Sequence, residues 1–555
     1  MELTHNREDN ANTAQKEETT VFKKSKRYVT LDFLRGISIF GMLIIHLLIH
    51  IWDRTWLNDL ASAPIFAVLF MIILVYLGGW RGLFVMISGT GNMISMQKAM
   101  RKGVPWYNVV KKQLIGGILL LLFAALSETF LNYDGWIGQG ILTGNWDAEH
   151  YLYRTFSQHT IHAVAWCLII NAILYGILVG IFGYKRVHVL AIIYGMLAIT
   201  VIACTDLLWE WRSAVYIAQG LSNGEWYQHG FKHAILCILL NPIGGSPEPI
   251  FPFLSVLFIG NILGLYLAED KPPKFLPRIG TIIGILFFIV GVVLGIILGA
   301  DFESWLPLNN PERLTRIPIW QPWFFFCTGG QIIVVMVMFR FIEYRGRGSV
   351  FAQRTKYFRR FGIIPFSVYS LQWFELLPRY LVGLMFSINV MQGAQVNTYI
   401  TGLTLLLNLS MWVLIFFLWE KIRYIGSLEW IMGQINLGIN KLFSFRKRKI
   451  MKSSKLDMRS LVHDVEWMNL SCLLEDERHE RRKERYLLLN SILSIFLFPF
   501  ILTSAFLLHD TKIIKNWKDN SMRNKISGCI ALFGIILFIS SSIILIVMRG
   551  LPISL

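Results

Sequence analysis

The chain has 555 residues, of which 54% are hydrophobic and only 16% charged, with 39 Phe and 19 Trp. A soluble domain carries about a quarter charged residues; here the apolar excess is gathered into runs of roughly 20 residues, the length that crosses a hydrocarbon core of about 30 Å. Composition therefore excludes an ordinary soluble enzyme, and the net charge of +18 is read as the inside-positive bias of membrane loops rather than as a nucleic-acid surface.

The expected fold is all-α: a multi-pass integral membrane helical bundle in the cell membrane. Residues 1–27 are polar, lack the apolar core and cleavage site of a signal peptide, and are expected to form a disordered cytoplasmic tail. Lys23, Lys24, Lys26 and Arg27 precede the first span, 31–51, and place the N-terminus inside. The next apolar stretch, 64–96, is too long for one straight helix. It contains Gly78-Gly79-Trp80-Arg81-Gly82, so an embedded segment is expected to break there and continue as a helix from about Leu83. That helix returns to Lys98, Arg101 and Lys102. Alternation continues through 114–131, 159–182, 189–208, 253–267, 279–298, 324–341, 361–386 and 398–419, with basic loops on one side; a run at 234–240 is too short to cross. About ten core spans result, within a membrane domain covering 28–432. A charged cytoplasmic segment, 433–485, follows, and then a C-terminal two-helix hairpin, 486–555, whose lysine-rich loop leaves its orientation open. The six cysteines (Cys167, Cys204, Cys237, Cys327, Cys472 and Cys529) include no Cys-x-x-Cys pair, so neither a metal site nor a disulfide framework is expected.

The first span, LDFLRGISIFGMLIIHLLIH, carries four ionisable side chains. At about 100° per residue, Asp32, Arg35, His46 and His50 fall within an arc of about 60°. His46 lies 11 residues beyond Arg35, roughly 16 Å deeper. Ionisable groups on one face of a membrane helix point to a functional interior. The structural alternative has Asp32 and Arg35 paired at i,i+3 and anchoring the helix end. Two histidines at i,i+4 can bind metal, but no third ligand is evident. The span 361–386 offers a second stripe: Gln372, Glu375 and Arg379. Glu375 lies about 21 Å from its inner end, near the depth of His46. Gln372 or Glu375 is expected to orient the histidine or bind an acceptor, with a Glu375–Arg379 ion pair as the alternative. His159 and His162, with Trp136, Trp146 and Asp147, are a further candidate on the outer side.

YVTLDFLRGISIFGMLIIH resembles the opening helix of the transmembrane acyltransferase superfamily, which includes bacterial O-acyltransferases, the heparan-alpha-glucosaminide N-acetyltransferase family and the YeiB-like membrane proteins. The matching residues are Arg27, Leu31, Asp32, Arg35 and Gly36. His46 falls where the O-acyltransferases carry their catalytic histidine; the other two groups more often have asparagine there. Three later stretches look YeiB-like: RGLFVMISGTG at 81–91, FRRFGIIPFSVYSLQWF at 358–374 with Tyr369 and Gln372, and IRYIGSLEWIM at 422–432, with Ser427 in place of a proline. The resemblance covers about residues 27–432. It implies transfer of an acyl group, acetyl in the first instance, from cytoplasmic acyl-CoA to a hydroxyl or amine of an outer-face acceptor such as a glycan. The expected donor substrate is acetyl-CoA, with no metal. His46 is expected as the catalytic histidine, since imidazole titrates near neutrality, either taking the acceptor's proton directly or accepting the acyl group first, with Glu375 beside it. Asp32, Arg35, His50, Arg81, Tyr369 and Gln372 are expected to bind substrate, and Lys98, Arg101, Lys102, Arg359 and Arg360 to serve a donor pocket. Besides the lipid bilayer, a second copy of the chain is a candidate partner. The competing function is a transporter or flippase of a small polar or lipid-linked substrate, without covalent chemistry.

Overall fold

A computed structural model describes residues 26–53, 81–219, 231–245, 248–298, 320–391, 396–443, 458–463 and 465–473. The tail at 1–25, the break expected at Gly78-Gly79-Trp80 and the hairpin 486–555 lie outside the described residues. The described chain is helical, and eight helices are long and apolar enough to cross a membrane: Val29–Ile51, Trp106–Thr143, Thr160–Phe182, Val187–Ala218, Ile250–Leu267, Leu276–Ile297, Trp320–Phe341 and Tyr399–Lys421. They coincide with eight of the ten expected crossings.

The other two differ, each for a physical reason. Between α1 (Val29–Ile51) and α3 (Trp106–Leu126) lies α2, Arg81–Arg101. It is 21 residues long but not uniformly apolar, since it carries Ser88, Thr90, Asn92, Ser95 and Gln97. Thr90 and Gln97 are fully buried, as is Leu83; the helix is surrounded by protein, where polar side chains find partners that lipid cannot supply. Thr90 Oγ1 donates to the carbonyl of Met86 or to that of Gly260, 2.8 and 2.9 Å away.

The second departure is the expected span 361–386, which is not one helix. After α4 (Trp136–Thr143), α5 (Thr160–Phe182), α6 (Val187–Ala218), α7 (Phe231–Gly244), α8 (Ile250–Leu267), α9 (Leu276–Ile297), α10 (Trp320–Phe341) and α11 (Gly348–Arg354), the chain forms α12 (Lys356–Ile363) and α13 (Pro365–Ser370). A single 3-10 turn, Gln372–Glu375, then leads into α14 (Leu376–Phe386). Ile364 leaves the helical region at φ −125°, ψ 50°, as a residue preceding proline is biased to do. Pro365 restarts the helix at its first position, where no amide hydrogen is needed. The freed amides of Phe366 and Ser367 both donate to Glu429 Oε1, at 2.6 and 3.2 Å. Glu429 opens α16 (Leu428–Phe443), which follows α15 (Thr398–Lys421), the last long span among the described residues.

α1 runs against α12, α2 and α15. Its crossing with α12 is set by two glycines. A Cβ on Gly36 would lie 1.9 Å from the carbonyl oxygen of Phe358, and one on Gly362 would lie 2.4 Å from that of Asp32. Close backbone approach is how membrane helices gain packing without a hydrophobic drive between them. The glycine of Asp-x-x-Arg-Gly thus has a packing reason of its own.

Part of the charged segment 433–485 also packs rather than standing free in solvent. Arg27 donates its amide to the Glu466 carbonyl at 2.9 Å and accepts from the Met468 amide at 2.8 Å. Leu470 donates to the carbonyl of Glu343. Met458, Val462 and Leu470 are buried. These residues strap the end of the bundle where α1 begins and α10 ends.

Candidate functional site

The polar face of α1 meets the 3-10 turn as a two-rung ladder. His46 Nδ1 lies 3.0 Å from Gln372 Oε1, and His50 Nδ1 lies 2.7 Å from Glu375 Oε1. The turn explains why both rungs close. In a 3-10 helix residues i and i+3 eclipse and rise about 2.0 Å each, so Gln372 and Glu375 share a face and stand about 6 Å apart. His46 and His50, four α-helical residues apart, also stand about 6 Å apart. Gln372 and Glu375 are buried, whereas both histidines keep some accessible surface.

Hydrogen bonding fixes the tautomer of His46. Gln372 Oε1 can only accept, so the imidazole proton sits on Nδ1 and the lone pair on Nε2. The amide nitrogen of Gln372 turns the other way, 3.2 Å from Met42 Sδ. His50 is held on two sides. Its ring stacks on Tyr133 at 3.9 Å with 10° between planes, and its carboxylate partner Glu375 also accepts from Arg379 Nη1 at 3.2 Å. Arg379, fully buried, donates further to Tyr133 Oη at 2.7 Å and to the carbonyls of Val390 and Met391. Glu375 thus faces His50 and pairs with Arg379, while Gln372 is the partner of His46.

A second buried centre lies beside this ladder, and the sequence reading missed it. α3 ends in a π-helical turn, Ser127–Leu131, that places Glu128 in the interior with no exposed surface. Glu128 accepts from Tyr369 Oη at 2.6 Å and from Asn132 Nδ2 at 3.0 Å. Arg154 and His159 approach it at 3.6 and 3.4 Å. Ser127 and Ser370 bond at 2.7 Å, tying the turn to the end of α13. Tyr369 is therefore engaged with Glu128, one 3-10 turn away from Gln372. The signal was a carboxylate inside the apolar run 114–131, which is costly in a membrane and marks a polar interior.

The remaining candidates are placed as follows. Asp32 does not pair with Arg35; it accepts from Arg27 at 2.7 Å and is buried. Arg35 makes no hydrogen bond or ion pair with a described residue; Asp32 and Glu429 act on it only through their fields. Its guanidinium lies against Gly91 of α2. Arg81 is the first residue of α2, and its side chain lies outside the described residues. Among the cations expected at a donor pocket, Arg101 is taken by Glu269 and Arg360 by Glu420. Arg359 donates to the Ala352 carbonyl and covers the ring of Trp467. His159 approaches Glu128 with its ring, and His162 is buried close by.

Where α1 begins, Thr30 gives both its amide and its hydroxyl to Glu343, at 2.9 and 2.6 Å. Burial pushes the Glu343 carboxyl up to about 7, against the lowering effect of these two bonds. Among the described residues, no group of three or more His, Cys, Asp or Glu gathers in a way that could hold a metal ion. Comparison with known proteins yields no family model, no curated protein and no solved structure that matches the chain.

Proposed function

We propose that the chain is a membrane-embedded acyltransferase. It moves an acyl group, acetyl first among them, from acyl-CoA on the cytoplasmic side to a hydroxyl or amine of an outer-face acceptor such as a glycan. In this reading α2 and the broken segment from α12 to α14 complete ten crossings, the N-terminus is cytoplasmic, and the bundle sits in the cell membrane. The observation that carries the reading is the face of α1. It bears a guanidinium at Arg35 that pairs with no described residue and, eleven residues on, an imidazole at His46 whose Nδ1 faces Gln372 and whose Nε2 is turned away from it.

The chemistry follows from those two groups. Arginine stays charged in proteins, and Arg35 pairs with no described residue while keeping some accessible surface; it suits an anion, which the phosphates of acyl-CoA supply. About 16 Å separates Arg35 from His46 along the helix, a span that suits the extended pantetheine arm. His46 Nε2 takes the proton of the acceptor hydroxyl or amine as that atom attacks the thioester carbonyl. The tetrahedral intermediate collapses, the carbon–sulfur bond breaks, and the imidazolium returns its proton to the departing thiolate. Gln372 holds the other proton on Nδ1 throughout, so Nε2 is the nitrogen that accepts and returns the transferred proton.

A transporter would use the broken helix differently. Half-helix N-termini in transporters face their substrates with free amides, whereas the N-terminus of α13 is already closed by Glu429. The test is incubation of purified, reconstituted protein with radiolabelled acetyl-CoA and a panel of glycan and amine acceptors. Label transfer that disappears in His46→Ala, with membrane insertion intact, supports the enzyme. Uptake without transfer, or transfer that survives His46→Ala, refutes the proposal.

A further inference from the structure

Apart from the polar ladder, a cavity among the described residues has the chemistry of an anion site. It lies at the same end of the bundle as Arg27, where the turn from α5 to α6 stands beside the turn from α8 to α9. The cavity measures about 450 Å³ and is lined by Lys185, Arg186, His188, Tyr266, Glu269 and Lys271, among others. We propose that it binds a phosphate ester.

Three observations converge on that assignment. First, Lys185, Arg186 and Lys271 come from two separate turns to one cavity, and none makes an ion pair with a described residue. Second, the single carboxylate of the lining is withdrawn from them: Glu269 is held by Arg101, itself in reach of Asp270 at 3.7 Å. Third, His188 Nδ1 is fixed 3.1 Å from Tyr266 Oη, which orients the ring and leaves Nε2 for a ligand. Loop lysines that serve topology alone need only sit on the correct side of the membrane. They do not need to share a cavity whose one lining carboxylate is held by an arginine.

The walls next to the cavity extend the argument. α6 exposes Ile192 and Met196, 63% and 55% accessible, and α9 exposes Phe275 and Ile279, 56% and 47% accessible. The cavity thus opens at the foot of a lipid-facing surface, the arrangement in which basic pockets between membrane helices take anionic head groups. A phosphate can reach it as the head group of such a lipid, with its chains along Ile192 and Ile279, or as a free phosphate compound. The site stands apart from the catalytic proposal, because neither His46 nor Gln372 touches it.

The experiment uses the full chain purified in neutral detergent. One arm adds short-chain phosphatidylglycerol, with phosphatidylcholine as control, and reads bound lipid by native mass spectrometry. The other titrates adenosine 3′,5′-bisphosphate and inorganic phosphate and reads protection of Lys185 and Lys271 from amine labelling. Each surface cation contributes roughly fivefold, so Lys185→Gln, Arg186→Gln and Lys271→Gln together are expected to weaken binding about a hundredfold. Arginine at positions 185 and 271 is expected to preserve it. Lys274→Gln, an exposed charge outside the lining, is expected to leave binding unchanged. Selective retention of phosphatidylglycerol identifies a lipid head group, and saturable protection by the soluble compounds identifies a free phosphate; either supports the site. No selective binding in either arm, or equal losses in the triple variant and Lys274→Gln, overturns it.

Discussion

Replacing Glu343 by glutamine is expected to change how stability depends on pH, and the size of the change follows from the burial of this side chain. The carboxyl is fully buried against Thr30 at the start of α1 and titrates near 7 in the folded protein, against 4.5 for its reference state. A folded pKa above the unfolded one means that the folded state binds the proton more tightly. The contribution is therefore complete at low pH and is lost as pH rises from about 4.5 through 7. At 1.36 kcal/mol per unit, about 3 kcal/mol is gone by pH 8, of which about 2.5 kcal/mol disappears between pH 5 and pH 8. With an unfolding entropy of about 2.1 cal/mol/K per residue, this corresponds to a shift of about 2 °C in the midpoint if the whole chain unfolds together, and more if a smaller unit unfolds. The assay is thermal unfolding in detergent of the native chain and Glu343→Gln at pH 5 and pH 8. Glutamine keeps an acceptor for the Thr30 amide and cannot ionise. The difference between the two proteins, in which other titrating groups cancel, should move in favour of the variant as pH rises. A difference that is flat, or that moves the other way, refutes the argument that burial outweighs the two Thr30 bonds.

Four further outcomes are expected. Gln372→Leu leaves the Nδ1 hydrogen of His46 without an acceptor, at about 1–3 kcal/mol. The turnover number for label transfer should fall about 10- to 100-fold, and Gln372→Glu, which retains an acceptor, should recover part of it. Gly36→Ala forces apart two backbones whose separation leaves 1.9 Å for the new carbon; a loss of about 3 kcal/mol should appear as a lower thermal midpoint and poorer recovery from membranes. In the same helix, Gly41→Ala meets nothing within 4 Å and should be neutral or slightly stabilising through helix propensity, by up to about 1 kcal/mol. Glu128→Ala takes the acceptor from Tyr369 and Asn132 and one of two carboxylates from Arg154, which keeps Asp134 at 3.3 Å; the cost of about 3–5 kcal/mol should lower stability in the same assay, and an unchanged midpoint would mean that Glu128 organises nothing.

What the sequence disclosed, and what it hid, divides along the difference between periodicity and partnership. The spans were legible because bilayer thickness imposes a length on apolar runs, and the face of α1 was legible because Asp32, Arg35, His46 and His50 sit on one helical period. α2 was harder, because a helix enclosed by protein on most sides may carry Thr90 and Gln97 in its interior and so loses the apolar signature of a span. Glu128 escaped because the run around it was scored for its length and not for its single charge. The histidine partners were found in part for an incomplete reason. On a continuous helix, Gln372 and Glu375 would stand about 60° apart around the axis and about 4.5 Å apart along it. His46 and His50 stand about 40° apart around their own axis and about 6 Å apart along it. The 3-10 turn removes the angular offset and stretches the rise to about 6 Å. Pro365 and the non-helical Ile364 and Leu371 break the segment into the short pieces that bring this turn against α1. The break in the membrane segment thus sets the geometry of the ladder: it brings Gln372 and Glu375 onto one face at a spacing that matches His46 and His50.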